Sequence, residues 1–120
     1  MKPLEGINVM EFSTMITAAF AAMMMAEQGA RVIKVEPIDT GDPMRDIGAS
    51  KGGISSLFAN CNRGKQSVRI NLKDQAGQAL IRDMISEIDV LIHNFRPGVM
   101  DKLHLGSDEL RRLNPRLIYA

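Results

Sequence analysis

Apolar and polar positions alternate along this chain in two different rhythms. Ile7, Val9, Met10 and Phe12 make a short apolar run near the start. Residues 18–27 are small and apolar and predict a buried helix, closed by Gly29 in the C-cap place. Arg31–Glu36, R-V-I-K-V-E, alternates at period two and is rich in β-branched residues, which predicts a strand. Residues 37–53 hold Gly, Pro and Asp at loop density, and 54–60 suit a short helix. Residues 67–71 alternate again. Over 73–87 the residues Ala76, Leu80 and Met84, with Ile88 beyond, recur four apart, a helical stripe. Asp74 and Arg82 suit the two ends of that helix dipole. Residues 89–93 predict a buried strand and Phe95-Arg96-Pro97-Gly98 a turn. Ser107, as N-cap, opens a helix that Asn114-Pro115 stops, and 116–119 predict a last strand. Strand and helix alternate throughout, the pattern of an α/β fold on a parallel sheet.

Composition narrows this picture. Of the 120 residues, 45% are hydrophobic, enough for a core. Only 4% are aromatic, so that core is aliphatic. The nine Met, including Met23-Met24-Met25, read as packing. A net charge of +1 argues against bulk attraction to nucleic acid or membrane. The lone Cys61 cannot form an internal disulfide and reads as a small buried residue. No apolar run approaches the roughly 18 residues of a membrane span. The opening Met1-Lys2-Pro3-Leu4-Glu5-Gly6 lacks the pattern of a signal peptide, so a cytoplasmic location is expected. The last predicted strand runs to the final residue, Ala120, which suggests the first part of something longer.

In α/β sheets ligands bind beyond the carboxyl ends of the strands, which directs attention to 13–17, 37–53, 71–73 and 94–98. The first of these holds no glycine, so a dinucleotide fingerprint is absent. Gly64-Lys65 is not a phosphate-binding P-loop, because Ala59 and Gln66 stand where Gly and Ser or Thr belong. Asn62-Arg63-Gly64-Lys65, with Arg69 and Lys73, reads either as a phosphate site or as a solvated loop. In Asn94-Phe95-Arg96-Pro97-Gly98 a ring beside a guanidinium suits an adenine, or else Phe95 anchors the core above a plain turn. Asp39, Asp42 and Asp46, with Arg45, read as solvated loop caps. His93 reads as a satisfied strand-end residue, although its chemistry would suit a general base.

Taken in order, the motifs carry more than each does alone. They are 3–9 (P-L-E-G-I-N-V), 29–37 (G-A-R-V-I-K-V-E-P), 41–45 (G-D-P-M-R), 62–68 (N-R-G-K-Q-S-V), 89–92 (D-V-L-I), 94–100 (N-F-R-P-G-V-M) and 114–119 (N-P-R-L-I-Y). The chain resembles the amino-terminal part of the family III CoA-transferases, the CaiB/BaiF family, which includes formyl-CoA and carnitine-CoA transferases and α-methylacyl-CoA racemases. The resemblance covers the whole chain. It departs from the family at Ala18-Ala19, where Gly-Pro is frequent, at His93, where Glu is frequent, and at His104, where Gly is usual.

That resemblance implies a Rossmann-like parallel sheet with flanking helices. Residues 1–120 would form the amino-terminal part of a CoA-binding domain, with the remainder of the family fold absent. CoA or acyl-CoA would be a substrate rather than a permanently bound cofactor. Ile16 and Thr17 would lie near the thioester. Ile70, Asn71, Leu72 and Lys73, with Asn94, Phe95 and Arg96, would hold the nucleotide part, and Lys102 a phosphate. The other substrate would be a small carboxylic acid, and the full-length fold would be an interlocked homodimer. In transferase members an Asp attacks the thioester, forms an acyl anhydride and then carries the CoA itself. That Asp lies beyond the matched stretch, so no catalytic residue is assigned and no turnover is expected from these residues alone. Two further readings stay open: a racemase-type member using acid–base chemistry, and a non-enzymatic α/β module for a nucleotide or partner.

Overall fold

The computed structural model describes all residues 1–120. Five strands form one parallel sheet: β1 (Asn8–Phe12), β2 (Arg31–Glu36), β5 (Gln66–Arg69), β6 (Val90–His93) and β7 (Ile118–Tyr119). A two-stranded antiparallel ribbon, β3 (Ser50–Lys51) with β4 (Ile54–Ser55), stands apart. The helices are α1 (Thr17–Glu27), α2 (Ser56–Cys61), α3 (Gln75–Met84), α4 (Val99–Lys102) and α5 (Ser107–Leu113). In the sheet the order is β5-β2-β1-β6-β7. The chain lays strands outward from β1 to one side, then returns and lays β6 and β7 on the other. The reversal lies between β1 and β6, where an open α/β sheet leaves a crevice past the carboxyl ends of its strands.

Period-two alternation sorts β1 between the faces. Met10 and Phe12 enter the larger core with Ile81, Ile85, Leu91, Leu105 and Leu110. Val9 packs on the opposite face with Val32 and Ala22 of α1. Small residues let α1 lie close to the sheet: Ala18, Ala19 and Ala22 are all buried.

The structure moves several predicted features. The buried face of α3 is set by Gln78 and Ile81, continuing to Ile85, whereas Leu80 is exposed. The helix is rotated from the predicted stripe because Gln78 is satisfied inside, its Nε2 donating to the Leu72 carbonyl at 2.9 Å. A 3-10 turn over Ile85–Glu87 replaces the helix's last turn. Met24 is exposed, so the Met run is only partly packing. Ile54 begins a strand rather than a helix. The cap of α5 is Gly106, with Ser107 already helical. Residues 37–53 contain a 3-10 turn over Pro43–Asp46, capped by Asp42, whose carboxylate accepts from Met44 N at 2.9 Å. No helix is long and apolar enough to cross a membrane.

Candidate functional site

The loops after β1 and β6 meet at the reversal point, and Asn94 ties them together. Its Nδ2 donates to the Thr14 carbonyl at 2.6 Å and to Thr17 Oγ1 at 3.2 Å, while its Oδ1 accepts from Thr14 N at 3.1 Å. One amide thus fixes both rims of the crevice. Within the first loop Met15 stands at φ 64°, a left-handed conformation uncommon for a side chain of this kind. Ile16 and Thr17 are exposed at the start of α1. Arg96 is exposed, and Phe95 is half-buried against the larger core. His93 lies behind them with Nδ1 accepting from Phe95 N at 3.1 Å, the satisfied strand end that its position suggests. Burial pushes its pKa down, against the pull of Asp101.

The loop after β5 makes a second rim. Ile70 is buried in the larger core. The Asn71 side chain closes a turn by accepting from Lys73 N at 3.1 Å. Gly77 lets α3 lie against this turn: a Cβ there would stand 2.1 Å from the Asn71 carbonyl oxygen. Leu72 packs half-buried, and Lys73 is exposed. Lys73 and Lys102 line one cavity of about 590 Å³ between α3 and α4. The structure therefore brings Thr17 to Asn94, and Lys73 to Lys102. Sequence reading missed Gln75, Gln78, Arg82 and His104, which line the same cavity. The polar residues at 75, 78 and 82 already follow helical spacing, a signal hidden beside the apolar stripe.

Beneath α1 lies a group of buried charges. The sheet register sets Glu11 beside Lys34. Lys34 Nζ lies 2.8 Å from Glu11 Oε1 and 2.9 Å from Asp42 Oδ2, all three side chains being essentially inaccessible. Ser13 Oγ donates to the same Glu11 oxygen. Lys65 Nζ lies 2.7 Å from Glu11 Oε2 and donates to the Ala19 carbonyl at 2.7 Å. Two cations thus face two carboxylates. Burial pushes the Lys65 pKa down, opposed by Glu11. Next to this group Glu36 accepts from Arg45 at 2.8 and 2.7 Å, from Ser67 Oγ at 2.6 Å and from Asp42 N at 2.7 Å. Burial alone would raise the Glu36 pKa, but these donors outweigh it and hold the carboxyl at about 2. Arg45 also lies over the Phe58 ring, 4.0 Å from its centroid.

These contacts correct two expectations. Asp42 is fully buried and paired, not a solvated cap. The basic stretch at 62–65 is no phosphate site: Lys65 points inward to Glu11 and Arg63 pairs with Glu27 at 2.8 Å. Cys61 is buried, as expected.

A parallel five-stranded sheet with flanking helices and polar loops converging at its reversal point defines an α/β domain. The family model for CoA-transferase family III matches residues 4–120, and the chain belongs to that family. It is 42% identical over 118 residues to the acetyl-CoA:oxalate CoA-transferase of Acetobacter aceti, covering 98% of this chain and 30% of that protein. It is equally 42% identical over 117 residues to the human α-methylacyl-CoA racemase, covering 98% of this chain and 27% of the relative. The crystal structure of the D175A mutant of Rv3272 from Mycobacterium tuberculosis superposes with a TM-score of 0.92 at 38% identity, covering 98% of this chain and 32% of that one. The chain thus spans about a third or less of these relatives' lengths.

Proposed function

We propose that residues 1–120 carry part of an acyl-CoA site in a family III CoA-transferase that moves CoA between carboxylic acids. The observation that carries this reading is the Asn94 bridge between the loops after β1 and β6, at the reversal point of the sheet. It leaves Thr17 and Ile16 on one rim and Arg96 on the other. The thioester end of the ligand lies by Ile16 and Thr17. The nucleotide part lies by Ile70 to Lys73 and Asn94 to Arg96, and Lys102 meets a phosphate. No Asp in this stretch is given the nucleophile's role, so residues 1–120 bind CoA and do not by themselves transfer it. The acceptor is a small carboxylic acid, and two full-length chains interlock as a dimer.

Calorimetric titration with CoA tests the reading. Arg96→Ala removes a charged donor and weakens binding about tenfold or more. A folded chain that takes up no CoA overturns the proposal, as does acyl exchange by these residues alone the claim of no turnover.

The racemase reading keeps one observation in its favour, the equal identity to the human α-methylacyl-CoA racemase. It shares the CoA site and differs in chemistry. Exchange of the α-proton of an acyl-CoA by the full-length protein, without CoA transfer to a free acid, would select it.

A further inference from the structure

The backbone that carries Phe95 and Arg96 is held at three places, and one of them titrates. Asn94 is tied to Thr14 and Thr17. The Arg96 carbonyl accepts from Val99 N at 3.1 Å, and Pro97 restricts the backbone of Arg96 from the same side. Between these two anchors the Phe95 N–H donates to His93 Nδ1, two residues back, at 3.1 Å. An acceptor two residues before the N–H does here what an Asn or Asp side chain does in an Asx turn. The imidazole is seated among rings: its centroid lies 5.5 Å from that of Tyr119, edge-on, and 6.1 Å from that of Phe95.

The groups around His93 can be named element by element. His93 shares its face of β6 with Leu91, toward the larger core, and α1 packs on the other face. Burial pushes the His93 pKa below the ordinary 6.5, and Asp101 of α4 pulls against it. Tyr119 of β7 is held at about 12, by burial and then by Asp101, and carries no charge near neutral pH. Phe12, opposite in register on β1, is uncharged.

We propose that His93 is a positioning residue for the Asn94–Arg96 rim, holding it in the ligand-binding conformation only while Nδ1 is unprotonated. An accepting Nδ1 leaves the proton of the neutral ring on Nε2. Protonation places a second N–H on Nδ1, opposite the Phe95 N–H, so two donors face each other and the turn has no acceptor. The turn opens at Phe95, and Arg96 leaves the rim. Because the folded pKa is depressed, the contribution is complete above 6.5 and is lost as pH falls through the lower folded value. The role rests on the acyl-CoA reading for the identity of the ligand, whereas the turn itself is a property of the free protein.

Two measurements on the whole chain separate the turn from the ligand. The first follows the His93 ring and the Phe95 amide by NMR against pH, without ligand. Both titrate together, with a midpoint below 6.5. In His93→Asn, whose Oδ1 takes the place of Nδ1 and does not titrate, the Phe95 amide stays constant. The second titrates the chain with dephospho-CoA, which lacks the phosphomonoester that itself ionises near pH 6. Wild-type affinity falls about tenfold from about pH 7.5 to about 5.5. His93→Asn holds its affinity within about twofold over the same range. His93→Phe keeps a ring and loses the acceptor, so it binds about tenfold more weakly at about pH 7.5 and shows a flat profile. A His93 that only fills space would let the Phe variant bind like wild type, which overturns the positioning role. The role also falls, with the acyl-CoA reading intact, if the Phe95 amide ignores the ring's titration or if the Asn variant keeps the wild-type slope. If ring and amide titrate together and dephospho-CoA binds at no pH, His93 still positions the turn and the acyl-CoA reading falls.

Discussion

Two regions of this molecule use the same side chains for opposite ends. Beneath α1, Lys34 and Lys65 are buried and face Glu11 and Asp42. Between α3 and α4, Lys73 and Lys102 line an open cavity that no carboxylate shares. In the first region each cation has its counter-charge inside the protein, and the network ties β1, β2, the 41–46 turn and the lead into β5 into one unit. In the second the charge is left for something outside. A lysine that is neutralised internally shapes the site, and one that is not neutralised can recognise a ligand. The distinction yields predictions that differ in size.

The largest effect belongs to Lys34. Lys34→Met leaves Asp42 and one Glu11 oxygen without their cation in a space closed to water. Removing one partner of a buried ion pair costs about 3–5 kcal/mol, a large share of the roughly 5–15 kcal/mol that holds a domain together. Urea unfolding checks this. A loss below about 1 kcal/mol, the range of exposed pairs, would mean that water reaches the network and that the two regions are not so different.

Glu36 comes next and has a signature in pH. Its carboxyl is held at about 2 against an ordinary 4.5. A depressed folded pKa adds stability that is complete above the unfolded value and is lost as pH falls through the folded one. The wild-type chain therefore loses this contribution between pH 4.5 and about 2. Glu36→Gln costs about 2 kcal/mol at neutral pH, since hydrogen bonds to a charged acceptor are exchanged for weaker ones. It also flattens the acid limb of the stability curve. An unchanged acid limb in the variant would assign that slope to other carboxylates. Gly41 guards the same contact: a Cβ there would stand 2.8 Å from Glu36 Oε2 at φ 69°, so Gly41→Ala strains both backbone and ion pair.

Which parts of this were readable in the sequence follows from the range of the interactions. The strand at Arg31–Glu36 is legible because period-two patterning is local, and the one around 89–93 because Val90, Leu91 and Ile92 form a short continuous apolar run. So is the turn at 94–98. Asn94 was singled out as a ligand contact, but its bridge to Thr14 and Thr17 crosses 80 and 77 residues of chain, and nothing local announces it. The inward turn of Lys65 was equally hidden. Its neighbours Arg63 and Gly64 look like a solvated loop, and only the sheet register, which sets Lys34 beside Glu11, creates the buried acid that draws Lys65 in. Asp42 was misread for the same reason. On α3 a stripe of Ala76, Leu80 and Met84 competed with the face of Gln78 and Ile81, and packing chose the second because the Gln78 amide finds the Leu72 carbonyl. Local apolarity ranks helix faces poorly when a polar residue can be satisfied inside.

The smallest change in stability belongs to Lys73, and it sharpens the contrast most. Its side chain is exposed, and only its backbone N is engaged, by Asn71 Oδ1. Lys73→Gln should therefore leave the unfolding free energy within about 0.5 kcal/mol of wild type. The same change removes one positive charge from the cleft, and CoA affinity should fall about tenfold. Affinity lost without stability lost is what a charge reserved for a ligand requires. A destabilisation on the scale of Lys34→Met would show Lys73 neutralised within the protein after all, and the division between internal and outward-facing cations would fail at the cleft where it matters most.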